Sequence, residues 1–239
     1  MNKQSNTYTL IYTIILVVVV GAALAWVSTA LKPQQQINAN ADKMKQILLS
    51  VHCTAADNAE VTSLFDKRVK GIVVDEDGNT VNGEKAFDVD VANQVKVSGD
   101  KRLLPVFIYN DNAIGTKYII PMYGQGLWGP IWGYLSLNED GSTVYGAYFS
   151  HQGETPGLGA EIEKPAFQNQ FIDKTLFKND KFLPVTVVKA GVKPQGDEDY
   201  VDGVSGGTIT SKGVAAMLDN CLAPYAKYLE NLNNGSANR

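Results

Sequence analysis

The side chains that bind metals are scarce in this chain: 239 residues hold two cysteines and two histidines. Apart from the neighbours His52 and Cys53 they lie far apart, and no Cys-x-x-Cys spacing occurs. No metal site is expected from such a set, and an iron–sulfur centre would need four ligands that are not there. Basic charge is short as well. With 21 Lys and Arg against 25 Asp and Glu, the net charge is −4, the wrong sign for a nucleic-acid partner, whose footprint is a basic stripe. Internal repeats and low-complexity runs are absent. So is a Gly-x-Gly-x-x-Gly fingerprint set between a strand and a helix, and no dinucleotide site is expected on this chain.

The longest absence is of charge itself. Residues 4–31 contain no charged side chain, and residues 11–26 are nearly all apolar. That run exceeds the roughly 20 residues a helix needs to cross a bilayer and the roughly 7–15 of a signal-peptide core. A retained anchor is therefore expected over a cleaved leader, although Ser28-Thr29-Ala30 offers the small residues of a cleavage site. Tyr8, Tyr12 and Trp26 lie toward the ends, where amphipathic rings favour the interface. Lys32 and Pro33 are expected to stop the helix, giving an anchor over 1–32 and one soluble domain over 33–239, with 34–40 as a polar bridge. An ion path would need ionisable groups inside the span, so ion movement is assigned to other chains. Lys3 on one side and Lys32, Lys43 and Lys45 on the other do not decide orientation.

What remains, about 205 residues, is enough for one large or two small domains and reads as α+β. Met44, Ile47, Leu48 and Val51 share one helical face. Strands are expected at 70–74 and 80–81 around Asp77-Gly78-Asn79, and at 105–109 and 117–121 around Asn110-Asp111-Asn112. A third pair, 131–137 and 143–149, flanks Asn138-Glu139-Asp140-Gly141. Turns this tight imply antiparallel pairing, because parallel strands need longer crossovers. Residues 167–171 read as helical, 184–189 as a late strand and 211–232 as a final helix interrupted at Pro224. Residues 233–239 read as a frayed tail.

The most chemical stretch is Asp202-Gly203-Val204-Ser205-Gly206-Gly207-Thr208. Its glycines let backbone N–H groups turn toward an anion, with Thr210 or Ser211 expected to cap a helix through Val214, Met217, Leu218, Cys221 and Leu222. A phosphate near Thr208 would meet the positive end of that helix. A plain turn with a helix cap is the simpler alternative. Gly203-Val204-Ser205-Gly206-Gly207 also spells Gly-x-Ser-x-Gly, the hydrolase elbow. The elbow needs a buried strand before it and a histidine after it; residues 196–200 are polar, and both histidines come earlier.

Asp-x-x-Ser-Gly-x-Thr resembles the site at which a flavin transferase joins FMN to threonine through a phosphodiester, and Thr208 would be the modified residue. Gly207 stands where that motif usually has alanine. His151 and Gly153-Glu154-Thr155-Pro156-Gly157-Leu158-Gly159, with Tyr123-Gly124-Gln125-Gly126-Leu127-Trp128-Gly129, resemble segments of the C subunits of the sodium-translocating NADH:quinone oxidoreductase. The anchor and these motifs occur in the family's order over nearly the whole chain. The G subunit of the Rnf complex shares several of them, and a membrane-tethered flavin sensor is a third reading.

The resemblance implies an electron-carrying subunit with covalent FMN and a soluble domain of mainly antiparallel sheet. It places that domain on the periplasmic side of the inner membrane. Trp128, Thr155 and Leu158 would line the flavin ring, with Glu154 close enough to disfavour an anionic flavin. Ser205, Gly206 and Gly207 would form the phosphate loop. Asp202 would be read by the transferase or help deprotonate Thr208, and Lys212 would neutralise the phosphodiester. Partners would be iron–sulfur and flavin subunits, the flavin transferase and membrane lipid, with no nucleic acid. Taken without the family, Trp128 equally reads as a core aromatic, Thr155-Pro156-Gly157 as a turn and Asp202 as a cap of its own loop. Cys221 reads as a buried thiol, although outside the cytoplasm a Cys53–Cys221 disulfide is allowed.

Overall fold

A computed structural model describes residues 6–179 and 181–237. Lys3 therefore lies outside the described residues, as do Asn238 and Arg239 at the end of the expected tail. The chain divides into two units, Met1–Lys43 and Met44–Arg239.

The first helix, α1, runs Asn6–Ser50. It is long and apolar enough to cross a membrane. Lys32 and Pro33 do not end it: Pro33 sits inside the helix. A proline there removes one backbone donor, but residues on both sides keep their own i→i−4 bonds. The polar stretch beyond it is helical too, laced by Gln34→Asn38 and Gln36→Asn40 side-chain bonds of 3.2 and 3.0 Å.

The second unit is built on a five-stranded antiparallel sheet in sequential order: β1 (Val69–Val74), β2 (Leu104–Asp111), β3 (Gly115–Gln125), β4 (Pro130–Leu137) and β5 (Val144–His151). Two of the three expected pairs, β2–β3 and β4–β5, are present and longer than the alternation suggested, whereas β1 pairs with β2 rather than with a strand at 80–81. Thr80 adds only a single bridge to Val74, after the Asp77-Gly78 turn in which Gly78 takes φ +83°. Strand alternation sends side chains to opposite faces. Val106, Ile120, Met122, Ile131 and Leu135 join one core; Phe107, Tyr109, Ile119 and Tyr134 join another.

The second core is closed by the last turns of α1, where Ile47 and Leu48 are buried, by Val51 just past its end, and by α2 (Asn58–Arg68). Trp132 Nε1 donates to Gln46 Oε1 at 2.9 Å and Ser136 Oγ to the Ser50 carbonyl at 2.6 Å, binding these turns to the sheet. Helix α2 has no counterpart in the sequence reading. Asp57 caps it by accepting the Glu60 N–H, and only Val61 and Phe65 are buried. Two apolar anchors are too few to give a helical period.

A short α3 (Val91–Gln94) precedes β2, and α4 (Pro165–Gln168) with a 3₁₀ turn Asn169–Phe171 matches the helical reading of 167–171. Two small pairs follow: β6 (Phe177–Lys178) with β7 (Lys181–Phe182), and β8 (Thr186–Val188) with β9 (Tyr200–Asp202). The second pair is parallel, an exception to the antiparallel expectation, closed by a loop of residues 189–199. Helix α5 (Thr208–Leu222) packs on the first core. Pro224 turns the chain through a 3₁₀ step, Ala223–Tyr225, into α6 (Ala226–Ala237). Residues 233–237 are thus helical rather than frayed, because Leu229 is fully buried and Leu232 packs on the same core, holding α6 down.

Candidate functional site

Register brings three loops to one end of the sheet. Gln125 pairs with Pro130 and Ile131 with His151, so the end of β3, the start of β4 and the end of β5 are neighbours. The β3–β4 turn is closed by the Gly126 N–H donating to the Gly129 carbonyl at 2.9 Å. Leu127 and Trp128 form its tip, and Trp128 is 69% exposed, so it is not a core aromatic. The glycines at 124, 126 and 129 do spell Gly-x-Gly-x-x-Gly, but they join two antiparallel strands. The dinucleotide motif needs a helix after its glycines.

The second loop follows β5. The Thr155 carbonyl accepts the N–H groups of Leu158 and Ala160, both at 3.1 Å, and Gly157 turns at φ +77°. The chain then enters a 3₁₀ turn, Gly159–Glu163. Thr155 and Leu158 are exposed and Glu154 is buried.

The third loop leaves β9. The Gly203 N–H extends the parallel pair by donating to the Val188 carbonyl at 2.7 Å, and the Gly207 N–H closes a turn on the Val204 carbonyl at 3.0 Å. Gly206 takes φ +77° in that turn, and a Cβ there would lie 2.7 Å from Leu158 Cδ2. Glycine is thus required at 206 by conformation, and the contact shows that this turn lies against the second loop. A three-residue strand with Val201 buried does precede Ser205, beginning where the polar, unburied run 196–200 ends. Both histidines still come earlier in the chain, and Ser205 stands exposed.

Helix α5 starts at Thr208, earlier than the sequence suggested, with Gly207 at the N-cap and no side-chain cap. Thr210 and Ser211 do not cap it; both are buried on the apolar stripe of Val214, Met217, Leu218 and Cys221. Thr210 Oγ1 donates to Glu154 Oε2 at 2.5 Å, and Ser211 Oγ accepts the Val204 N–H at 2.9 Å. Two hydroxyls on an otherwise apolar stripe were the signal for these roles. Asp202 does not brace its own loop either: its Oδ1 accepts the Gly191 N–H at 3.1 Å. The first N–H groups of a helix have no intrahelical partner. Here they open beside exposed Thr208.

A cleft of about 300 Å³ adjoins that helix start, lined by Val187, Lys189, Val204, Ser205, Thr208 and Lys212 among others. Lys189 was not singled out from sequence, since an isolated lysine after a strand carries no pattern. Among the described residues outside α1, the exposed large apolar side chains are Leu127, Trp128, Leu158, Val192 and Ile209. Four of these five belong to the three loops or to the first turn of α5. An uncapped helix start, two lysines and an apolar surround suit an amphipathic phosphate ester. The FMN implied by the sequence motif therefore fits the residues present. Cys53 and Cys221 take no part and are both free. They pack with opposite cores across the sheet, which rules out the bridge. Burial pushes the Cys221 thiol above its ordinary value.

Known proteins share this fold. The FMN-binding domain family matches residues 126–223, a span from the hairpin tip to the end of α5 that contains all three loops. The chain is 31% identical to the C subunit of the Na(+)-translocating NADH-quinone reductase of Vibrio anguillarum, covering 99% of both chains. The solved structure of the equivalent protein from Parabacteroides distasonis is 46% identical, with a TM-score of 0.76 over 83% of this chain and 96% of that one. The Shewanella oneidensis NqrC structure is 26% identical, with a TM-score of 0.67 over 82% and 99%. Fold and site thus define a flavin-binding domain of the FMN-binding class. Within that class, the chain belongs to the NqrC family, the C subunits of the Na(+)-translocating NADH-quinone reductase.

Proposed function

We propose that this chain is the electron-carrying subunit of a Na(+)-translocating NADH-quinone reductase, with one FMN joined through its phosphate to the Thr208 hydroxyl oxygen. The observation that carries this reading is the placement of Thr208: exposed, first in a helix without a side-chain cap, next to exposed Ile209 and after a turn that lies against exposed Leu158. The N–H groups of the helix start and the Ser205-Gly206-Gly207 turn hold the phosphate. Lys189 and Lys212, which line the same cleft, offset its charge. Trp128 and Leu158 offer apolar surface to the ring and keep water from it, and Thr155 supplies a hydroxyl. When bound, the flavin supplies the redox chemistry, while the protein sets its position and surroundings.

Attachment by a phosphoester suits a domain that must dock with iron–sulfur and flavin subunits without losing its cofactor. A flavin transferase installs the group, and Asp202, exposed beside the loop, belongs to the surface it reads. Helix α1 anchors the chain in membrane lipid with the soluble domain on the periplasmic side, and sodium passes through other subunits.

The test is denaturing electrophoresis of the full chain coexpressed with a flavin transferase. Wild type is expected to give a fluorescent flavin band and Thr208→Val none. A band that survives the substitution places the cofactor elsewhere.

A further inference from the structure

Glu154 is 4% exposed, and each of its carboxylate oxygens is engaged in a hydrogen bond. Oε1 accepts the Trp128 backbone N–H at 2.8 Å from the hairpin tip, and Oε2 accepts the Thr210 hydroxyl at 2.5 Å from the first turn of α5. Its own backbone N–H donates to His151 Nδ1 at 3.1 Å, which holds the turn that bears it. Backbone closes in around the carboxylate: a Cβ at Gly126 would lie 2.5 Å from Oε1, and one at Gly159 would collide with Oε2. Among the described residues it has no ion-pair partner. A buried carboxylate without a cation is costly. Here it is compensated by two donated hydrogen bonds and by the positive end of α5.

From this arrangement we infer that Glu154 is the positioning residue of the flavin site. It ties the Trp128 hairpin tip to the helix start that bears Thr208, and it fixes one negative charge between them. The inference rests on the flavin reading given above, and it gives Glu154, expected from sequence only to lie near the ring, a supporting part. It acts through Trp128 and Thr210. Two consequences separate the tie from the charge. Glutamine at this position keeps an acceptor for Trp128 and turns a donor toward Thr210, so the tie survives and the charge goes. Alanine removes both.

The experiment uses the full chain in detergent, before and after flavin attachment, as wild type, Glu154→Gln and Glu154→Ala. In the flavin-free chain, hydrogen exchange at the Trp128 amide is expected to be slow in wild type and in Glu154→Gln. In Glu154→Ala it should be at least about tenfold faster, since a buried bond is replaced by access to water. In the flavin-loaded chain, Glu154→Gln is expected to raise the flavin midpoint potential, because a negative charge that disfavours the more anionic reduced form has been removed. An unaltered Trp128 amide in Glu154→Ala, or an unaltered potential in Glu154→Gln, overturns the inference. Failure of the flavin reading looks different: wild type itself then bears no flavin on Thr208, while the amide exchange still reports on the tie.

Discussion

Asp199 shows how one side chain can decide the order of a polar loop. Its carboxylate accepts the Thr175 N–H at 2.7 Å, the Thr175 hydroxyl at 3.0 Å and Lys178 Nζ at 2.7 Å, joining the run into β9 to the segment before β6. Burial pushes its pKa up, but Lys178 and Thr175 outweigh that, and the net position is below the ordinary carboxylate value. A depressed folded-state pKa contributes stability above the unfolded value of about 3.9, and that stability is lost as pH falls through the folded value. Asp199→Asn should therefore destabilise the domain at pH 7 by about 1 kcal/mol, the order for a partly exposed pair. It should matter much less near pH 2. Thermal melts at the two pH values check this, and an equal deficit at both refutes it. None of it was visible in the run Gly196-Asp197-Glu198-Asp199, which reads only as polar. The turn at Gly206, by contrast, was legible, because its positive φ is a local backbone need that glycine answers.

Elements were legible in proportion to how local their causes are. The β1, β2–β3 and β4–β5 turns announce themselves by Asp77-Gly78, Asn110-Asp111-Asn112 and Asn138 to Gly141, whereas β9 has too few residues, and α2 too few apolar ones, to show a period. The start of α5 departs from the sequence expectation for a related reason. Thr210 and Ser211 are good caps locally, but tertiary partners, Glu154 and Val204, claim their hydroxyls. Helix α5 also depends on a close approach that sequence does not show. A Cβ at Gly213 would collide with the Gln125 carbonyl oxygen and lie 3.2 Å from its carbon, at the end of β3. Gly213→Ala should gain up to about 1 kcal/mol in helix propensity and lose about 1–3 kcal/mol to overpacking against backbone. A lowered denaturant midpoint and weaker flavin attachment are expected, since the contact lies within two turns of Thr208. A midpoint higher than wild type would mean that the strand end gives way.

At the scale of the whole chain, the division of labour between α1 and the soluble unit can be tested by truncation. Residues 44–50 belong to the second unit, and Ile47 and Leu48 are buried in its core. A chain beginning at Met44 should leave the membrane fraction and retain a cooperative melt. One beginning at Cys53 should fail to fold, because losing buried Ile47, Leu48 and Val51 at about 2–5 kcal/mol each rivals the roughly 5–15 kcal/mol that holds a domain together. Solubility and calorimetry of the two truncations decide it; a cooperative melt from the shorter one would contradict the contribution of these three residues to the core.

From sequence alone came the apolar span, the antiparallel hairpins and the threonine motif, all properties of neighbouring residues: continuous hydrophobicity, alternation, and glycine where backbone must turn. Tertiary structure decided what those parts do to one another. It set Cys53 and Cys221 on opposite sides of the sheet and turned Thr210 and Ser211 inward. It also buried Glu154 between Trp128 and Thr210, residues 26 and 56 positions away. Local spacing cannot encode such contacts, because they exist only once sheet register and helix packing have brought distant segments within hydrogen-bond reach.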